Sequence, residues 1–118
     1  MYICLMYSKE LLKGTLQTII LNLLAENDKM YGYEITQKVK ELTDGKINIT
    51  EGALYPSLHK LEAEGLLSTE TVNIGKRVRK YYSLTKQGGA TATDKVNELV
   101  DFMNTLKFLL KPKLKTNP

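Results

Sequence analysis

The hydrophobic period of this chain changes at Gly65. Before that residue, apolar side chains recur three and four positions apart, which is typical of one face of an α-helix. From residue 66 to residue 84 they alternate with polar side chains, which is typical of half-buried β-strands. A chain of 118 residues with this pattern is expected to form one domain, in which helices pack against a small hairpin.

Three helices are predicted ahead of this change. The first is expected from about Lys9 to Ala25, as one continuous helix with a leucine and isoleucine stripe. The second begins near Tyr31 and ends at Asp44–Gly45, because these two residue types favour turns. Between the second and third helices, Ile47 and Ile49 predict a very short strand.

The third helix lies in the segment TEGALYPSLHKLEAEGLL, residues 50 to 67, and contains a proline. Thr50 is the expected N-cap, since its hydroxyl can accept a hydrogen bond from a free amide of the first turn. Pro56 interrupts the pattern, because proline lacks the N–H that an interior helical position needs. The favoured interpretation is an irregular turn over residues 51–54 followed by a regular helix from Pro56. The alternative is a helix that starts at Glu51 and bends at the proline.

Beyond Gly65, the runs LLSTETV and VRKYYSL are expected to form a hairpin around Gly75. Residues 73–86 contain five basic residues and no acidic one, although the whole chain has a net charge of only +4. Localised positive charge of this kind favours a polyanionic partner. The basic residues expected to contact phosphates or the minor groove are Lys76, Arg77, Arg79 and Lys80.

The last helix is predicted over residues 87–111, with Thr85 as its candidate N-cap. Two glycines weaken its first turn, so its ordered part is expected from about Ala92. Its apolar residues are spaced 3, 4, 3 and 4 apart, which indicates a coiled-coil seam that a second subunit would cover. The first helix of that subunit would complete so short a seam. The predicted interface residues are Leu12, Leu16, Ile19, Val96, Leu99, Met103, Leu106 and Leu110. An effector pocket is expected at the symmetry axis near Phe102, Met103 and Leu106.

This order of elements predicts a mainly α fold with a small β-hairpin, namely a winged helix-turn-helix domain with a C-terminal dimerisation helix. The third helix would enter the major groove, and the basic hairpin would be the wing. Its DNA-facing side would carry Gly52, Pro56, His59 and Lys60. The expected boundaries are an N-terminal extension (1–7), the DNA-binding domain (8–86), the dimerisation helix (87–111) and a disordered tail (112–118).

The segments KELLKGTLQTIILNLL, YGYEI, TEGALYPSLHKLEAEGLL and RKYYSLTKQG resemble the PadR-type transcriptional regulators over roughly residues 8–110. The resemblance implies a bacterial homodimeric repressor, whose last helix packs against the first helix of the partner and which often senses aromatic or cationic compounds. The absence of tryptophan excludes a drug sandwich between tryptophans, and the single last helix indicates a short-tailed subgroup. Besides the wing, the resemblance places near DNA the residues Tyr33, Thr50, Gly52, Leu54, Tyr55, His59 and Lys60.

Three of these side chains have an alternative interpretation from the sequence alone. His59 is expected to face either DNA or solvent. Tyr55 is expected either to pack in the core or to reach a phosphate with its hydroxyl, and Tyr33 either to pack or to contact the backbone of DNA. His59, the only histidine, lacks the partners of a metal site or a catalytic pair, so no metal, cofactor or enzymatic activity is expected. The lone Cys4 and the absence of long apolar runs favour a cytoplasmic protein without membrane contact. The competing function is a winged-helix protein-interaction module that does not bind DNA.

Overall fold

The structure, a computed structural model, describes residues 7–115, and the side chains of residues 7–111. Five helices and three strands follow one another along this part of the chain, and the predicted fold class is confirmed. In order they are α1 (Lys9–Lys13), α2 (Leu16–Glu26), β1 (Met30–Tyr31), α3 (Gly32–Leu42), α4 (Glu51–Ala63), β2 (Leu67–Ile74), β3 (Arg77–Leu84) and α5 (Lys86–Lys115).

The expected first helix is divided into α1 and α2, so the prediction of one continuous helix is wrong. The break falls at Gly14 and Thr15, where the Thr15 hydroxyl donates to the Leu12 carbonyl at 3.2 Å. Glycine is a poor helix former, and a threonine hydroxyl competes for the carbonyls of the preceding turn. As a result α1 buries no residue, whereas α2 places five apolar side chains in the core.

The hairpin is part of a three-stranded antiparallel sheet in the order β1-β3-β2. The strand β1 precedes α3, and its Met30 lies opposite Tyr82 of β3. The short strand expected at Ile47 and Ile49 is absent from the structure; both side chains instead pack, partly buried, against the core. The turn expected at Asp44 is confirmed, since that residue has a φ of 52°.

The core lies where α2, α3 and α4 meet the inner face of the sheet. Tyr82 is the largest side chain that the sheet contributes to this core, and only 2% of its surface is exposed. Burial raises the pKa of the Tyr82 hydroxyl, because it disfavours the charged phenolate. The other fully buried large side chains are Ile20, Leu21, Ile35, Leu54, Leu58 and Leu61.

The helix α5 begins at Lys86, six residues before the expected start of its ordered part. Thr85 is confirmed as its cap, because its hydroxyl accepts the Gly88 N–H at 3.0 Å. Gly88 lies so close to the Leu66 carbonyl that no side chain would fit, which explains a glycine in this turn. The helix packs on α2 and continues through Pro112 to Lys115, so the expected disordered tail does not begin at residue 112. Within residues 7–115 no helix is both long and apolar enough to cross a membrane.

Candidate nucleic-acid interface

The start of α4 differs from the favoured prediction. The helix begins at Glu51, as the alternative had it, and Thr50 caps it by accepting the Ala53 N–H at 3.2 Å. Pro56 therefore lies in the second turn, where it has no N–H to donate to the Gly52 carbonyl. Both residues are exposed, so this carbonyl lies on the solvent side of the helix.

The two sides of α4 differ sharply in burial. Leu54, Leu58 and Leu61 are at most 1% exposed and anchor the helix in the core. The opposite side is open along its whole length, as the sequence predicts, and contains Gly52, Pro56, His59, Lys60 and Ala63. Among the described residues, no hydrogen bond or ion pair engages the side chains of His59 and Lys60, so both are free to meet a partner.

Tyr55 packs between two helices. It is half-buried, and its ring lies against Gly32, the first residue of α3, where a Cβ would overlap the hydroxyl. This contact favours the packing interpretation, because Tyr55 fixes how closely α3 approaches α4. Tyr33, the next residue of α3, is 60% exposed. The Glu34 carboxylate already accepts the Tyr31 N–H at 3.3 Å, so the start of α3 holds a negative charge of its own.

The wing is the hairpin β2–β3, closed by the two-residue turn Gly75–Lys76. The φ of +62° at Gly75 is what the first position of a type II′ turn requires, and glycine adopts it without strain. Lys76 and Arg77 are exposed at this tip, and neither has an ion pair within the described residues. These two side chains therefore give the tip of the wing an exposed positive charge.

The other two basic residues of the wing, Arg79 and Lys80, have partners within their own chain. The guanidinium of Arg79 lies 4.0 Å from the ring centroid of Tyr31, and its Nη1 donates to the Tyr81 hydroxyl at 3.5 Å. That hydrogen bond raises the pKa of Arg79 above its ordinary value. The Nζ of Lys80 lies 3.7 Å from the Glu62 carboxylate. The sequence predicts none of these partners.

The predicted interface residues of α5 fall into two groups. Val96 and Leu99 are half-buried, whereas Met103, Leu106 and Leu110 are 53%, 37% and 41% exposed. The predicted contribution of the first helix is partly different from expected. Leu12 and Ile19 are half-buried, but Leu16 is only 8% exposed and belongs to the core of its own chain.

An apolar cleft of about 250 Å³ lies between α2, α3 and α5. Of the three residues expected in an effector pocket, Met103 lines this cleft, but Phe102 and Leu106 do not. Its other apolar lining residues include Ile19, Leu23, Val39, Val96 and Leu99. Across residues 7–115, the structure has no group of three histidine, cysteine or acidic residues that could hold a metal ion.

Known proteins resemble this chain in sequence and in fold. Residues 20–94 match the transcriptional regulator PadR-like family. The transcriptional regulator Rv3488 of Mycobacterium tuberculosis is 35% identical over 86 residues, which are 73% of this chain and 77% of that protein. A transcriptional regulator from Clostridium thermocellum is 30% identical, with a TM-score of 0.77, over 86% of this chain and 95% of that one. Bacillus subtilis PadR in complex with operator DNA is 32% identical, with a TM-score of 0.64, over 70% of this chain and 46% of that one.

Proposed function

The chain belongs to the PadR-like family of transcriptional regulators, and from this premise we propose that it is a homodimeric repressor that binds a near-palindromic operator. The observation that carries the proposal is the open side of α4. A capped helix N-terminus, the exposed backbone at Gly52 and the free side chains of His59 and Lys60 lie together on one surface. Such a surface fits the major groove, where side chains at the start of a helix reach base edges.

The wing and α4 have different tasks in this proposal. Lys76 and Arg77 carry unpaired charge at the wing tip, so they would neutralise phosphates and supply affinity that does not depend on sequence. His59 and Lys60 would choose among sites, because they are the polar side chains on the open side of α4. The structure of Bacillus subtilis PadR with operator DNA supports duplex DNA as the partner class.

Exposed apolar surface at both ends of the chain supports the homodimer. The helix α1 buries nothing in its own chain, and its Leu11 is 64% exposed. The cleft between α2, α3 and α5 and the adjoining side of α5 are apolar and open. A second copy would cover both surfaces at once, since its α1 can occupy the cleft while the two α5 seams pack against each other. Each subunit would then offer one α4 to one half-site.

An effector that relieves repression would act through the same interface. A small apolar or aromatic compound would bind between the two α5 helices, against Phe102, Met103 and Leu106, where 37–58% of each side chain is exposed in the single chain. Its binding would change the separation of the two α4 helices and hence their fit to the operator.

Binding to the DNA upstream of the protein's own coding region tests the function. Its affinity is compared with that for a scrambled duplex of equal length, at several salt concentrations. The proposal predicts a preference of at least about a thousandfold for the specific site and a steep loss of affinity with salt. A protein-interaction module would bind neither duplex measurably, and that result would reject the proposal.

A further inference from the structure

One carboxylate of α4 touches both strands of the wing. Glu62, in the last turn of α4, accepts the Thr69 hydroxyl of β2 at Oε2, over 3.3 Å. Its Oε1 lies 3.7 Å from Nζ of Lys80 on β3. These are the only side-chain hydrogen bond and ion pair that join α4 to β2 or β3 among the described residues. The Glu62 side chain is 35% exposed, so neighbouring atoms partly shield it from water.

This contact lies near the base of the hairpin, so a small rotation there displaces the distant tip. The buried part of the hairpin ends at Tyr82, and from Lys80 outward to the tip the side chains are exposed or half-buried. Lys76 lies four residues beyond Lys80, which is roughly 13 Å at the rise of a β-strand. A rotation of about 10° at the contact would therefore move the tip by about 2 Å, enough to break a hydrogen bond to a phosphate.

Two further polar contacts attach the wing to elements other than α4. On the outer face of the sheet, Arg79 lies over the ring of Tyr31 in β1. The ion pair between Lys29 and Glu70, at 3.3 Å, joins the loop before β1 to β2. Neither contact involves α4. The distance between the wing tip and the open side of α4 consequently depends on Glu62 and on the buried side chains at the hairpin base.

We propose that Glu62 is a positioning residue, which holds the wing at the distance from α4 that the operator requires. Lys80 is then the counter-charge of Glu62 and does not contact DNA. The inference rests on the proposed DNA-binding function. An acidic side chain thus contributes to operator recognition, although a negative charge near DNA by itself weakens binding.

The test compares Glu62→Gln with Glu64→Gln. Glutamine keeps the size of Glu62 and its acceptor for Thr69 but removes the ion pair with Lys80. Glu64 is an exposed acid two residues further on, and no ion pair engages it among the described residues, so Glu64→Gln measures the effect of removing a charge alone. Each variant is titrated with operator and with a scrambled duplex, and hydroxyl-radical footprints of both are recorded.

For Glu62→Gln we expect a preference for operator over scrambled duplex about tenfold lower than that of Glu64→Gln, with a salt slope on operator smaller by about 2. On operator, α4 is seated in its half-site, so a displaced wing no longer brings Lys76 and Arg77 to their phosphates. On scrambled duplex α4 is not seated, and the two cations still find phosphates. The footprint should lose the wing's minor-groove protection and keep the protection due to α4. The melting temperature should fall by no more than about 4 °C, since a partly exposed ion pair contributes little stability. The double variant Glu62→Lys with Lys80→Glu should recover part of the lost preference.

Two results would overturn the inference. Equal preference in the two glutamine variants would show that the contact does not set the wing's position. Tighter operator binding by Glu62→Gln than by Glu64→Gln would show that Glu62 restrains Lys80 from a DNA contact.

If the unaltered protein prefers no duplex, the proposed function fails. Hydrogen exchange of the backbone amides of residues 72–79, measured without DNA, then tests the positioning role by itself. Faster exchange in Glu62→Gln alone supports the positioning role, and unchanged exchange rejects it.

Discussion

Replacing Pro56 by alanine should stabilise the protein, because α4 is continuous from Glu51. A proline in a helix interior is about 3 kcal/mol less favourable than alanine, since it lacks an N–H and crowds the carbonyl four residues earlier. Here that carbonyl belongs to Gly52, which is exposed. Alanine also gives the unfolded chain more freedom, which offsets about 0.4–1 kcal/mol of the gain. The expected net gain is about 2 kcal/mol.

Calorimetry and urea titration measure this gain. A chain of 118 residues has an unfolding entropy near 0.25 kcal/mol/K, so the melting temperature should rise by about 8 °C. Lys60→Ala is the matched control: it changes an exposed position of the same helix without altering its backbone bonds, and its stability should change by less than about 0.5 kcal/mol. If Pro56→Ala melts no higher than the unaltered protein, the proline does not interrupt the helix and the reasoning is refuted.

Three further predictions concern the packing of the helices, the wing and the dimer. Gly32→Ala should lower the free energy of unfolding by about 1–3 kcal/mol in urea titrations, because its new methyl group overlaps the tyrosine ring packed on it; an unchanged value would contradict the packing described. Arg77→Ala should lower the salt slope of DNA binding by about 1 without changing the melting temperature, whereas Arg79→Ala should lower the melting temperature, because it loses its contact with the Tyr31 ring; equal melting temperatures of the two variants would show that this contact does not stabilise the fold. Leu106→Lys should be folded but monomeric in sedimentation and should lose tight operator binding, because it buries a charge in the seam, while Phe108→Lys, 79% exposed and off the seam, should remain dimeric; a monomeric Leu106→Lys with full operator affinity would exclude the dimer as the binding unit.

Features that depend on a few neighbouring residues could be predicted from the sequence. The apolar stripe of α4, the caps at Thr50 and Thr85 and the glycine turn of the wing all follow from spacing and residue type. The caps and the turn form between residues at most four positions apart in the sequence. The stripe requires only that one side of the helix be buried. For the same reason the spacing of residues in the sequence identifies the exposed side of α4, which carries His59 and Lys60.

Features that depend on distant partners could not be predicted. The strand β1 exists because Met30 and Tyr31 pair with β3, and two residues carry no detectable alternation of their own. The number of charges in the sequence likewise does not distinguish the four basic residues of the wing from one another. Only the register of the sheet brings Arg79 over Tyr31 and Lys80 beside Glu62, and that register is a property of the folded molecule.

A hydroxyl-radical footprint of the unaltered protein on its own upstream DNA tests the central claim most directly. A symmetric dimer that places one α4 in each half-site should protect two patches on one face of the duplex, with centres about one helical turn, roughly 10 base pairs, apart. The two patches should appear together as protein is added, since both belong to one bound dimer. A single protected patch, or two patches that fill independently, would contradict the claim that a dimer reads a near-palindromic operator through α4.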